Sequence, residues 1–201
     1  MTRLYKRKNN KKRFFYPQEW MKFLNGMTKP SQQNHKFLFE FLLHTGARIN
    51  EARNVQIKDI DFERKCLLIK KPKRSLGKED KERTIEVSTY LLNRIKNHMQ
   101  NNNLGKLDYL GFPTTVYMDR VMKKYCREVG ILDFEDFSCH NTRKTLETWC
   151  AAGLNINPMV LSVHFGHTID IATMHYVGMS MLKPEDKALI KAIIDDLFDK
   201  K

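Results

Sequence analysis

His140-Asn141-Thr142-Arg143, a helical run from Thr145 to Ala152 closed by Gly153, and then His164-Phe165-Gly166-His167 leading in nine residues to Tyr176 form the stretch that decides the fold. His140 and Arg143 stand at i and i+3, so a helix carries both side chains on one face. Asn157-Pro158 has the form of a helix start, with Met159, Val160, Leu161 and Val163 behind it, and Gly166 breaks that helix. Thr168 caps a short helix, Ile169 to Met174, that runs into Tyr176.

Upstream the pattern is also helical. Pro17 has the place of a first helical residue, and Trp20, Phe23, Leu24 and Met27 share a face; Gly26 and Pro30 bound this helix. A second helix runs from about Gln33 to His44 and ends at Gly46. Arg48 opens a third, Asn50 to Val55, on a sharp corner, with Glu51 placed to hold its guanidinium or to form an ordinary surface ion pair.

The period then changes. Ile57 to Phe62, Cys66 to Ile69 and Arg83 to Val87 read as three short strands. A lysine-laden tip, Lys70 to Lys81, joins the last two. Loop tips can deliver a catalytic or phosphate-touching lysine, and they also collect solvated ones. Helices follow at Thr89 to Gln100 and Val116 to Val129, with Thr115 as a cap and Gly130 as a stop. Pro184-Glu185-Asp186 opens a last helix, 184–199, whose apolar face is Leu189, Ile190, Ile193, Ile194, Leu197 and Phe198. That face must dock, on its own body or on a neighbour. The first 13 residues form a basic arm with little to bury, and 14–201 one domain.

The bulk numbers agree with one sizeable domain. Hydrophobic residues are 41% of 201, enough for a real core. Lysine and arginine exceed the acids by 36 to 23, a net +13, which favours a polyanionic partner, nucleic acid before membrane. Cys66, Cys126, Cys139 and Cys150 show no C-x-x-C spacing, which argues against zinc and suits a reducing cytoplasm. There is no apolar run of spanning length and no N-terminal leader pattern.

A phosphodiester is the substrate these side chains suit. Attack on phosphorus builds charge on non-bridging oxygens, which guanidinium forks match and cannot lose by deprotonation. A tyrosine nucleophile needs such help because its reference pKa is about 10. By composition Tyr5, Tyr16, Tyr90, Tyr109, Tyr117 and Tyr125 are equal candidates with Tyr176. A lysine on the hairpin could protonate the leaving 5′-oxygen, and a phosphotyrosyl bond would conserve energy, so rejoining needs no ATP. No acidic cluster suited to two metals accompanies these residues.

Taken together the segments resemble the tyrosine recombinases, or phage-type integrases, in the family's order. Thr45-Gly46-Ala47-Arg48-Ile49-Asn50-Glu51 resembles T-G-x-R-x-x-E. The strand-flanked hairpin resembles the one that bears a catalytic lysine. His140-Asn141-Thr142-Arg143 resembles H-x-x-R, and Phe165-Gly166-His167 resembles L-G-H, followed at nine residues by the nucleophile. The likeness covers about residues 14–180. Thr142 and Lys144 stand where Leu and His are usual, and Phe165 where Leu is.

The resemblance implies a mainly α domain with a small three-stranded antiparallel sheet. It implies a site-specific recombinase or integrase, of a mobile element or a chromosome, acting on double-stranded DNA without cofactor, metal or ATP. Arg48 and Arg143 would clamp the scissile phosphate, His140 and His167 would share proton handling, and Tyr176 would form a 3′-phosphotyrosyl bond. Lys73 would protonate the leaving oxygen, with Lys71 and Lys78 as alternatives. The last helix would dock on a neighbouring subunit in a tetramer on DNA, or in cis in a free monomer. The place of action would be the cytoplasm, or a host nucleoid. Members usually carry a helical DNA clamp ahead of the catalytic domain. Here only the basic arm precedes Phe14, so the clamp would fall to the arm and another protein, or to the rest of a longer chain. A type IB topoisomerase and a non-catalytic basic DNA-binding protein are the alternative readings.

Overall fold

The computed structural model describes residues 13–70, 82–174 and 182–198. Helices dominate, and a single small sheet lies among them, as the sequence led one to expect.

The chain enters through Phe14 and Phe15 and turns into helix α1, Pro17–Asn25. Phe15 is fully buried and its ring lies 4.2 Å from that of Phe137. Its backbone is fastened at both ends: the amide donates to Thr145 Oγ1 at 2.9 Å, and the carbonyl accepts from Trp149 Nε1 at 2.9 Å. Arg13 belongs to the body too, because its carbonyl accepts from Asn141 Nδ2 and its side chain pairs with Glu19. The chain entry is thereby tied to the helix that carries His140 and Arg143.

Helix α2, Gln33–Thr45, is buried from Phe37 to its end, so it is the central rod of the core. Gly46 ends it in the left-handed conformation, φ 59°. The Thr45 hydroxyl donates to the Phe41 carbonyl and accepts the Ala47 amide, which fixes the corner. Helix α3, Ile49–Ala52, starts immediately after Arg48 and is one turn long, shorter than the Asn50–Val55 expected.

The sheet has the order β1 (Ile60–Asp61), β2 (Cys66–Ile69), β3 (Arg83–Glu86), all antiparallel. Ile57–Asp59, expected as strand, is a 3₁₀ turn. Asp59 causes it: its carboxylate accepts the Gln56 amide at 3.0 Å, a local bond that competes with ladder pairing. In β2–β3 the register sets Leu67 opposite Ile85 and Ile69 opposite Arg83. Leu67, Ile69 and Ile85 face the core.

Helix α4, Thr89–Asn102, is capped by Ser88, whose hydroxyl accepts the Leu91 amide. Helix α5, Thr115–Glu128, is capped by Thr114 rather than Thr115. Helix α6, His140–Thr148, passes into a π-helical turn, Trp149–Gly153, seen in the Leu154 amide bonded to the Trp149 carbonyl. Helix α7, Pro158–Phe165, begins at Asn157, whose side chain accepts the Met159 amide, and stops at left-handed Gly166. Helix α8, Ile169–Met174, packs against α7.

Helix α9, Pro184–Ile194, docks in cis on α1 and on the π turn. It is five residues shorter than the 184–199 expected, because Asp195 turns to φ 56° and leaves the helix. Asp195 and Asp196 then accept the Tyr90 and Thr89 amides at 3.0 and 2.6 Å, capping α4 with negative charge. The Asp196 carboxyl, though partly withdrawn from water, is held far below the usual range by Lys65 and by the hydroxyl and amide of Thr89.

Phe15, Trp20, Phe23, Phe39, Phe41, Phe137, Trp149 and Phe165 are all essentially inaccessible to water. Truncating any one of these rings to alanine is expected to cost about 3–5 kcal/mol. No helix among the described residues is long and apolar enough to cross a membrane.

Candidate active site

Four segments meet at one place: the α2–α3 corner, the start of β3, α6, and the turn after α7. The fold brings Arg48, His140, Arg143 and His167 into one neighbourhood. Lys73 and Tyr176 lie outside the described residues, as do Lys71 and Lys78.

Arg143 is the most constrained member. Its side chain is only 4% exposed. Nη1 donates to the Gly46 carbonyl at 3.0 Å, Nη2 to the Phe165 carbonyl at 2.6 Å, and Nε meets Glu147 Oε1 at 3.0 Å. A guanidinium has five N–H groups. These three bonds orient it and, among the described residues, engage one N–H of each terminal nitrogen. Burial pushes its pKa down to about 10, helped by Arg48 and Arg83 and opposed by Glu147, so it remains charged at neutral pH.

Arg48 is more open, with 39% of its side chain exposed. Glu51 takes both its amide, at 2.8 Å, and its Nη1, at 2.9 Å. Glu51 is shared: Arg83 donates Nη1 to Oε1 and Nη2 to Oε2, each at 3.0 Å. Burial opposes ionisation of Glu51, but the bonds from Arg83 and Arg48 outweigh it and hold the carboxyl below its ordinary value. Arg83 also donates Nε to the His164 carbonyl at 2.9 Å, which links sheet, corner and α7.

His140 is exposed at the start of α6. Its pKa lies below the ordinary histidine value, first through desolvation, then through Lys144 and Arg143, with Glu147 opposing. It is biased to the neutral imidazole, which can accept a proton. His167 stacks on the Phe165 ring at 5.8 Å, and its Nε2 lies 3.4 Å from Glu147 Oε1. The Arg143 guanidinium carbon stands 5.1 Å from the centroid of the same Phe165 ring. Phe165 thereby spaces the arginine from the histidine.

Sequence reading overlooked Arg83 and Glu147. Each left a signal. In β3 the alternation that turns Ile85 and Val87 inward also turns Arg83 inward, and a largely buried arginine needs a carboxylate. Glu147 is one helical turn from Arg143, on the same face. The cluster of three guanidiniums against two carboxylates is net positive before the histidines are counted. Such a cluster favours an anion with several oxygens. Among the described residues no group of three or more His, Cys, Asp or Glu is placed to hold a metal ion.

The fold and this arginine–histidine cluster define a domain of the tyrosine-recombinase kind, and the comparisons agree. Residues 13–182 match the model of the phage integrase family. The chain belongs to that family. It is 32% identical over 117 residues to tyrosine recombinase XerA of Pyrococcus furiosus, covering 51% of this chain and 37% of that one. It is 31% identical over 150 residues to a probable integrase/recombinase of Acholeplasma phage L2, covering 71% of this chain and 48% of that one. The chain thus spans less than half the length of these curated relatives. Among solved structures, the Tn1549 transposon integrase in complex with a circular intermediate DNA superposes with a TM-score of 0.68 at 21% identity, over 85% of this chain and 66% of that one.

Proposed function

We propose that this chain is the catalytic part of a site-specific recombinase or integrase that cuts and rejoins double-stranded DNA. The observation that carries the reading is the convergence of Arg48, His140, Arg143 and His167, from three separate segments, in one positively charged cluster. Chance motifs would have no reason to meet. The net charge of +13 suits a DNA partner, and the Tn1549 relative was solved on DNA.

In this reading Arg48 and Arg143 hold the non-bridging oxygens of the scissile phosphate. The Tyr176 hydroxyl loses its proton to a neutral histidine and attacks phosphorus. The P–O5′ bond breaks, a 3′-phosphotyrosyl bond forms, and the leaving 5′-oxygen takes a proton from the hairpin lysine, Lys73 in the first instance. Rejoining is the reverse, with a 5′-hydroxyl as attacker, so neither ATP nor metal enters the balance. On DNA, copies of the chain assemble through α9, which would exchange its cis dock for a neighbour.

A duplex with a nick or a 5′-bridging phosphorothiolate near the cut traps the covalent intermediate. The expected result is a protein–DNA adduct that maps to Tyr176 and vanishes in Tyr176→Phe. An adduct at another tyrosine, or an undiminished one in Tyr176→Phe, would overturn the assignment. Supercoil relaxation with no recombinant product would point instead to a topoisomerase.

A further inference from the structure

We propose that Glu147 is a positioning residue of this site, one that locks Arg143 and His167 into a single working geometry. The inference rests on the phosphotyrosyl reading for its catalytic consequence, but not for the contact itself.

Glu147 stands one turn after Arg143 on α6, and its side chain is 7% exposed. One of its oxygens, Oε1, serves both neighbours: Arg143 Nε at 3.0 Å and His167 Nε2 at 3.4 Å. Those two groups come from different elements, the middle of α6 and the turn between α7 and α8. Glu147 therefore bridges the parts of the site that are distant in sequence. The rest of the frame leaves it this role. The Gly46 and Phe165 carbonyls hold the terminal nitrogens of Arg143, and among the described residues Glu147 holds Nε. The ring of His167 is stacked on Phe165 on its flat side, its Nδ1 lies 3.2 Å from the Thr168 carbonyl, and its Nε2 faces Glu147 Oε1 at 3.4 Å, the range of an ion pair once the ring is protonated.

A carboxylate beside a phosphate site has an evident drawback, since it repels the substrate's charge. Ordinary surface-helix stabilisation does not explain it, because both side chains of this i,i+4 pair are buried. Neutralising a buried arginine explains the contact to Arg143 but not the reach to His167. Positioning explains both. With the carboxylate present, the fork of Arg143 and the edge of His167 keep a fixed separation before DNA arrives, and no reordering is needed at the moment of attack.

The test uses the full chain. Glu147→Gln retains shape and an oxygen that can accept from Arg143 Nε, so folding is preserved. Its cleavage of a suicide duplex under single-turnover conditions is expected to fall roughly tenfold or more, with DNA affinity changed less than about threefold. Because Glu147 acts through His167 as well as Arg143, Glu147→Gln should slow a His167→Ala protein by clearly less than it slows the wild type. Multiplying losses, or wild-type cleavage by Glu147→Gln, overturns the proposal. A second readout needs no DNA. The ring nitrogen resonances of His167 should move in Glu147→Gln while those of His35 and His98, which have other partners, hold. An unmoved His167 resonance sinks the proposal even if cleavage falls. A wild-type protein that forms no adduct, with the resonance moving as expected, overturns the functional reading and keeps the contact.

Discussion

Arg83 meets Glu51 fork to fork, Nη1 to Oε1 and Nη2 to Oε2, each at 3.0 Å, and Glu51 in turn holds Arg48. A strand residue thus supports Arg48, which the proposed mechanism sets on the scissile phosphate, through a carboxylate that is 2% exposed. Removing one partner of a buried pair leaves a charge uncompensated and costs about 3–5 kcal/mol. Arg83→Ala should fall near the lower end, because Arg48 remains on Glu51. Arg83→Lys should also lose activity, because a single ammonium cannot serve two carboxylate oxygens and the His164 carbonyl together. Urea midpoints and adduct yield check both. A lysine variant with wild-type stability and yield would show that the fork is dispensable.

In the proposed mechanism, which lysine serves the leaving group is a separate question, and a chemical one. Lys73→Ala should slow cleavage of an ordinary duplex by roughly a hundredfold, within the range of general acid catalysis. A 5′-bridging sulfur leaves without needing a proton, so it should restore the rate of that variant alone. If Lys71→Ala or Lys78→Ala is rescued instead, the assignment moves to that residue. Lys70, the first residue of the tip, is paired with Asp59 and should be tolerant of change in this assay.

Much of this architecture was legible in the sequence, for identifiable reasons. Gly46 and Gly166 end helices in left-handed turns, and the apolar periods of α1, α2 and α4 match their buried faces. The illegible parts are those decided by a single side chain competing with the backbone pattern. Asp59 converts an expected strand into a turn by capping Gln56. Asp195 and Asp196 stop the last helix because they cap α4, a partner about a hundred residues away. Motifs located Arg48, His140, Arg143 and His167, but the residues that hold them, Arg83 and Glu147, belong to no motif. The inward alternation of β3 and the one-turn spacing on α6 hinted at them, and burial in the fold gives those hints their weight.

Two histidines should make the protein sensitive to mild acid. Burial pushes His164 down to about 3, with Arg83 and Arg143 adding to the effect and the Thr45 carbonyl and Glu147 opposing. Burial alone pushes His44 to about 4. In the unfolded chain both bind a proton near 6.5. The unfolded state therefore takes up protons first as pH falls, and the native state is penalised. The stability is fully present above about 6.5 and drains below it, by about 2 kcal/mol per histidine at pH 5. Glu51, with its lowered pKa, adds a loss only at more acidic pH. Urea midpoints at pH 7.5, 6 and 5 should fall steadily, and a flat series down to pH 5 would contradict the burial of both rings.

Gly46 offers the sharpest test of how closely the site is built on the core. Its φ is +59°, and a Cβ there would stand 2.3 Å from Phe165 Cε1 and 3.3 Å from Leu146 Cδ2. Its carbonyl holds Arg143, and so does the carbonyl of the residue it would collide with, Phe165. Gly46→Ala combines left-handed strain, roughly 1–2 kcal/mol, with overpacking, about 1–3 kcal/mol. It also moves both carbonyls that orient the guanidinium. Gly130 is the control, at φ +69° with nothing nearer to a Cβ than Lys22 Nζ at 3.8 Å. Gly130→Ala should lose about 1–2 kcal/mol from strain alone and keep full cleavage activity. Gly46→Ala should lose more stability and, at a temperature where it remains folded, cleave at least tenfold more slowly. Equal behaviour of the two variants would mean that the Gly46 carbonyl does not set the orientation of Arg143.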